Sequence, residues 1–126
     1  MQSKPYCESD LSAIERDFGW KLPAAYRRFL LVPPDDAKGS AVRDLDFAVS
    51  RLGANREYAD YLLRASKADY ELSRSDVVFL FHQDYQFLFF RCGQNDDPPV
   101  YRFVEGEPSP REIATSFSDW LARLRS

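Results

Sequence analysis

Val77-Val78-Phe79-Leu80-Phe81-His82 and Phe87-Leu88-Phe89-Phe90-Arg91-Cys92 are two apolar runs separated by Gln83-Asp84-Tyr85-Gln86. Runs of this length, rich in aromatic and β-branched residues around a polar break, predict a β-hairpin. Successive side chains of a strand point to opposite faces, and here both sets are apolar. The hairpin is therefore either central and covered on both sides, or covered on one side and used as an interface on the other. Downstream, Gly93, Asn95, Asp96, Asp97 and two prolines read as a loop. Val100-Tyr101-Arg102-Phe103-Val104 is then a further strand, ending at Glu105-Gly106-Glu107. Upstream, Leu45, Phe47 and Val49 alternate with polar or small residues, which predicts a short edge strand.

Helical spacing surrounds this β-rich centre. Leu11, Ile14 and Phe18 lie on one face of a helix over 9–18, with Ser9 or Asp10 as its cap and Gly19 as its stop. A second helix begins at Leu22-Pro23, with Pro23 at its first position. Tyr26, Phe29 and Leu30 form its apolar face, and Pro33-Pro34-Asp35-Asp36 ends it. A third is expected over 55–66, with Asn55 as cap and Tyr58, Tyr61, Leu62 and Ala65 on one face. Near the C-terminus, Ser109-Pro110-Arg111-Glu112 has the spacing of a capping box, and Ser116 is a second candidate cap. Phe117, Trp120, Leu121 and Leu124 then repeat at helical spacing.

The chain has 126 residues, 44% of them hydrophobic, 15% aromatic and 29% charged. That composition excludes a disordered tail and suits one domain, residues 1–126, with a core that needs no disulfide or metal staple. The net charge of −3 argues against nucleic acid as a direct partner, which usually leaves a basic footprint. The polar N-terminal stretch resembles no secretory leader, and no window approaches the apolar length of a membrane span. Cys7 and Cys92, isolated in such a chain, read as reduced thiols of a cytoplasmic protein.

The residue inventory is poor in catalytic chemistry. His82 is the single histidine, and the cysteines have no partner at metal-ligand spacing, so no metal is expected. No Gly-x-Ser-x-Gly elbow and no glycine-rich phosphate loop occurs. The acid pairs Asp35-Asp36 and Asp96-Asp97 stand beside prolines, as solvated loop residues do. Residues 92–112 hold five acids (Asp96, Asp97, Glu105, Glu107, Glu112) against two arginines, around an aromatic strand. A solvated rim is the common outcome of such a pattern. Its functional alternative is an acidic, aromatic surface for a basic protein, where rings anchor and carboxylates steer. The candidate partner-binding residues are His82, Asp84 and Tyr85 at the hairpin turn, with Asp96, Asp97, Tyr101, Glu105 and Glu107.

The run Ile14-Glu15-x-x-Phe18-Gly19-x-x-Leu22-Pro23-x-x-Tyr26-x-x-Phe29-Leu30 resembles the opening of the SUKH superfamily, the Smi/Knr-type domain. Pro99-Val100-Tyr101 and Ala114-x-Ser116-Phe117-x-x-Trp120-Leu121 resemble its closing strand and final helix, with Trp120 where Phe is commoner. Val32-Pro33-Pro34-Asp35 and the turn His82-Gln83-Asp84-Tyr85-Gln86 depart from the glycine-rich loops usual there. The resemblance implies an α+β domain, a largely antiparallel sheet with helices packed against it. It implies a non-enzymatic, cofactor-free protein-binding role. Bacterial members look mostly like immunity proteins that neutralise a cognate polymorphic or contact-dependent toxin, often a nuclease or deaminase. The alternative is a regulatory or scaffold module. The expected partner is a basic toxin domain covered by occlusion, bound by a monomer or homodimer with no membrane involved. The matching motif residues are core positions, so no catalytic residue carries over.

Overall fold

The computed structural model describes residues 7–31, 52–82, 85–93 and 95–125. Helix α1 (Glu8–Phe18) and α2 (Ala24–Leu31) open the chain. Helix α3 (Leu52–Ala65) precedes strands β1 (Asp76–His82), β2 (Gln86–Arg91), β3 (Val100–Val104) and β4 (Arg111–Ala114), and α4 (Phe117–Arg125) closes it. The strands form one antiparallel sheet in the order β1-β2-β3-β4. This is the α+β architecture expected. The strand anticipated over Leu45, Phe47 and Val49 lies outside the described residues.

Both faces of the sheet are covered. On one, Val77, Phe79, Leu80, Leu88, Phe90 and Val100 pack with Leu11, Tyr26, Phe29, Phe117 and Trp120 of α1, α2 and α4. On the other, Val78, Phe87, Phe89 and Phe103 pack under Ala59, Leu62 and Leu63 of α3. The two apolar sets of the hairpin thus have two separate partners. A register shift between Val78 and Leu80 is what lets the consecutive residues Phe79 and Leu80 join the same core cluster. Among the described residues β1 is an edge strand and β2 is interior, so the hairpin is not wholly central. Several rings of the first core meet edge-on, Tyr26 against Phe90 at 4.9 Å and Phe79 against Trp120 at 5.3 Å, while Phe79 stacks on Phe90.

The α1–α2 corner shows why its motif has fixed spacing. Gly19 ends α1 with φ 72°, a left-handed conformation, and its turn returns the Trp20 amide to the Glu15 carbonyl. The Glu15 carboxylate accepts from the Leu22 amide at 2.7 Å and faces Arg27 at 3.2 Å. Arg27 also pairs with Glu8. Trp20 donates through its indole N–H to the Arg74 carbonyl at 2.6 Å, pinning the corner to the approach of β1.

Four local expectations are corrected. The cap of α1 is Cys7 rather than Ser9 or Asp10; Asp10 instead accepts from the Cys7 amide at 3.0 Å. Pro23 precedes α2 rather than opening it, and its carbonyl accepts from Arg27. Helix α3 starts at Leu52, so Asn55 lies inside it and its side chain reaches the Val78 carbonyl. Arg111–Ala114 is strand, because the free edge of β3 offers it a ladder (Val100↔Ala114, Tyr101↔Glu112) that outweighs the local capping signal of Ser109-Pro110. The true cap of α4 is the second candidate, Ser116, whose hydroxyl accepts from the Asp119 amide at 3.0 Å. No helix of the described residues is long and apolar enough to cross a membrane.

Candidate functional site

Helix α3 buries Leu52, Ala59, Leu62 and Leu63. That stripe leaves Tyr58 and Tyr61 facing out, 39% and 57% exposed, rather than in the core where the spacing had placed them. Their rings stack at 5.9 Å, and Tyr58 also packs on Phe81 of β1 at 4.9 Å. Phe81 pairs with Phe87 across the hairpin, close to its turn. Tyr85, exposed to the same degree as Tyr58, follows in that turn. Its carbonyl accepts from the Glu105 amide at 2.8 Å. The Gly106 amide donates to Ser66 Oγ just beyond α3. One end of the sheet therefore gathers the hairpin turn, the β3–β4 turn and the end of α3. It presents the large exposed apolar side chains among the described residues, and exposed Glu105 belongs to the same end through its backbone bond to Tyr85.

Of the candidates read from sequence, Tyr85, Glu105 and Glu107 stand at this end. His82 belongs there by backbone register, opposite Gln86. Its side chain, and Asp84 altogether, lie outside the described residues. Glu107 is partly buried; one carboxylate oxygen is 3.5 Å from Arg111, and the other is buried without a hydrogen bond. Asp96 and Asp97 lie in the β2–β3 connection at the opposite end, about 17 Å away at about 3.3 Å per strand residue. There the Asp96 carbonyl accepts from the Ala25 amide at 2.9 Å. Asp97 accepts from the Ser118 amide of α4 at 2.9 Å, which occupies that carboxylate structurally. Tyr101 is half-buried on the α3 side of the sheet, stacked on Phe89 at 5.3 Å with the Arg91 guanidinium 4.9 Å from its ring.

A polar network absent from the sequence reading sits at the start of β1. Asp76 is fully buried. Its Oδ2 accepts from the Tyr70 hydroxyl at 2.5 Å and the Ser73 amide at 2.9 Å. Its Oδ1 is 3.4 Å from Arg91 Nε, an ion pair without a hydrogen bond's alignment. Arg56 of α3 donates to the Asp76 carbonyl at 2.8 Å. Burial pushes the Tyr70 hydroxyl above its ordinary pKa, and the bond to Tyr70 raises that of Arg91. No sequence pattern announces such a cluster, since its members come from α3, the 66–75 connection and two strands. For Tyr58 and Tyr61 there was a signal: Leu52, Ala59, Leu62 and Leu63 recur at i, i+7, i+10 and i+11, a more apolar stripe than the one chosen.

Cys92 is not set up as a nucleophile. Cys92 is buried, and burial pushes its thiol pKa up, away from the thiolate a nucleophile needs. Among the described residues no three His, Cys, Asp or Glu side chains stand together as metal ligands.

A family model described as the SMI1 / KNR4 family (SUKH-1) matches residues 5–123. No curated protein matches the sequence. The matched span takes in the α1–α2 corner, the hairpin and α4, where the motifs of the sequence occupy core and corner positions. With that extent of match and this antiparallel α+β fold, the chain belongs to the SMI1 / KNR4 family (SUKH-1).

Proposed function

We propose that this protein is a non-catalytic binding domain of the immunity type, acting in the cytoplasm by covering the working face of a basic toxin domain, a nuclease or deaminase. Family membership supports the class of function. The observation that carries the surface is the tyrosine cluster at the sheet end: Tyr58, Tyr61 and Tyr85 exposed, two of them stacked and backed by Phe81. Tyrosine supplies a large, amphipathic contact with little side-chain entropy to lose, which is why it dominates binding hot spots. Glu105 and Glu107, on a chain of net charge −3, favour encounter with a basic partner. The mechanism is occlusion by a preformed surface.

The test begins with tagged protein in native cell lysate at low and high salt, with mass spectrometry of what is retained. The captured domain is then purified and its affinity measured. Tyr61→Ala should weaken binding by about 30-fold, the size of a hot-spot loss of about 2 kcal/mol. Glu105→Lys should slow association, and less so at high salt. Capture of a housekeeping complex would favour the regulatory module. Unchanged affinity in all three tyrosine-to-alanine variants would remove the sheet end from the interface.

A further inference from the structure

A groove of about 1100 Å³ runs along α3 on the flank that carries Arg56, Asp60 and Leu63, away from Tyr58 and Tyr61. It is larger than the roughly 300–1,000 Å³ typical of small-molecule pockets. Phe18, Leu63 and Leu72 supply apolar surface, and the wall facing α3 is the stretch 69–72, which belongs to neither helix nor strand. That wall is held at both ends. The Asp69 amide donates to the Pro108 carbonyl at 2.6 Å, and the Ser73 amide and Tyr70 hydroxyl bond to buried Asp76. Between these anchors, the amides of Tyr70, Glu71 and Leu72 make no hydrogen bond among the described residues, and neither do their carbonyls. A backbone anchored at both ends, with unpaired donors and acceptors between, offers pairing to the backbone of another chain.

The charges select its occupant. The groove is lined by four carboxylates and two guanidinium groups. Arg64 pairs with Asp60 at 3.1 Å, and Arg56 is engaged by the Asp76 carbonyl. Glu57, Asp69 and Glu71 have no ion-pair partner among the described residues. We infer that this groove binds an extended, lysine- or arginine-bearing peptide segment of a partner protein, which adds as a strand alongside residues 70–72 and places its cations against Glu57, Asp69 and Glu71. The inference does not rest on the tyrosine surface and would survive its loss.

The probe is a fluorescein-labelled hexapeptide alternating lysine and valine. It is compared with a glutamate–valine counterpart and with the lysine peptide N-methylated at alternate residues. Fluorescence anisotropy reads affinity, and amide hydrogen exchange on the whole protein reads the site. The lysine peptide should bind, and the other two should not. Exchange should slow at alternate residues of 70–72, since an added strand pairs with every second amide along one edge. Glu71→Lys should weaken binding about tenfold and Glu71→Gln by less; both alter an exposed side chain, so the fold is retained. Tyr61→Ala should leave the peptide affinity unchanged. Equal binding of the N-methylated peptide would overturn the strand pairing. No binding of the lysine peptide at millimolar concentration would overturn the site. Concentration-dependent protection of residues 70–72 without peptide would reassign the groove to a second copy of the chain.

Discussion

Replacing Asp76 separates two readings of the buried network, because its carboxylate faces a cation on one side and neutral donors on the other. The Arg91 side chain is 39% exposed, so water screens the ion pair and limits it to about 0.5–1 kcal/mol. The two bonds to Oδ2 come from Tyr70 and the Ser73 amide, and each is charge-assisted. Such bonds contribute about 1.5–3 kcal/mol against about 1 for a neutral pair. Asp76→Asn keeps an oxygen for those donors but removes the charge, so it should cost about 2–3 kcal/mol. Asp76→Ala leaves both donors unsatisfied inside the protein and should cost about 4 kcal/mol. Tyr70→Phe should cost about 1–2 kcal/mol, and Arg91→Met about 1 kcal/mol, part of it the contact with the Tyr101 ring. The assay is urea unfolding at pH 7 with double-mutant cycles. The Asp76–Tyr70 coupling should exceed the Asp76–Arg91 coupling. The reverse order would refute the reasoning and make the ion pair the principal element.

Further outcomes follow from burial and backbone geometry. Phe89→Ala, at a fully buried position between sheet and α3, should cost about 3–5 kcal/mol in urea unfolding, while Tyr61→Ala should stay within about 0.5 kcal/mol of the parent. Gly19→Ala should cost about 1 kcal/mol, read as a lowered Tm: a Cβ there meets no neighbour, so the penalty is that of φ 72° alone. A maleimide should label exposed Cys7 rapidly and Cys92 only at the rate of opening. Because burial raises the folded pKa of Cys92, stability present below about pH 8.5 should decline as pH rises from there through the folded value, and Cys92→Ala should flatten that limb. On the acid side, the Cys7 amide lowers the pKa of Asp10, so stability present above about pH 4 should be lost as pH falls through the folded value. Asp10→Asn, followed by thermal melts from pH 2 to 6, should remove that dependence.

The site was less legible than the fold, for a physical reason visible in α3. Tyr58, Tyr61, Leu62 and Ala65 also lie at helical spacing, and spacing does not reveal which of two overlapping stripes meets the sheet. The phenylalanines of β2 and β3 settle it, because Leu62 and Leu63 pack on Phe87, Phe89 and Phe103 and turn the tyrosines outward. Similarly, Asp96 and Glu105 are acids flanking one strand in sequence, yet an antiparallel strand carries them to opposite ends of the sheet. Adjacency along β3 became separation in space.

Periodicity and boundary signals were sufficient for α1, α2, the hairpin, β3 and the body of α4, because the apolar pattern is local and so are boundary residues such as the stop Gly19 and the cap Ser116. Those same core residues carried the resemblance to the family. Tertiary structure alone decided β4, where an open strand edge overrode a capping box, and the Asp76 network, whose members are up to 35 positions apart in the chain. It also decided which surface is left to bind. Exposure is what remains after every element has chosen a partner, and that choice is made between elements rather than within them.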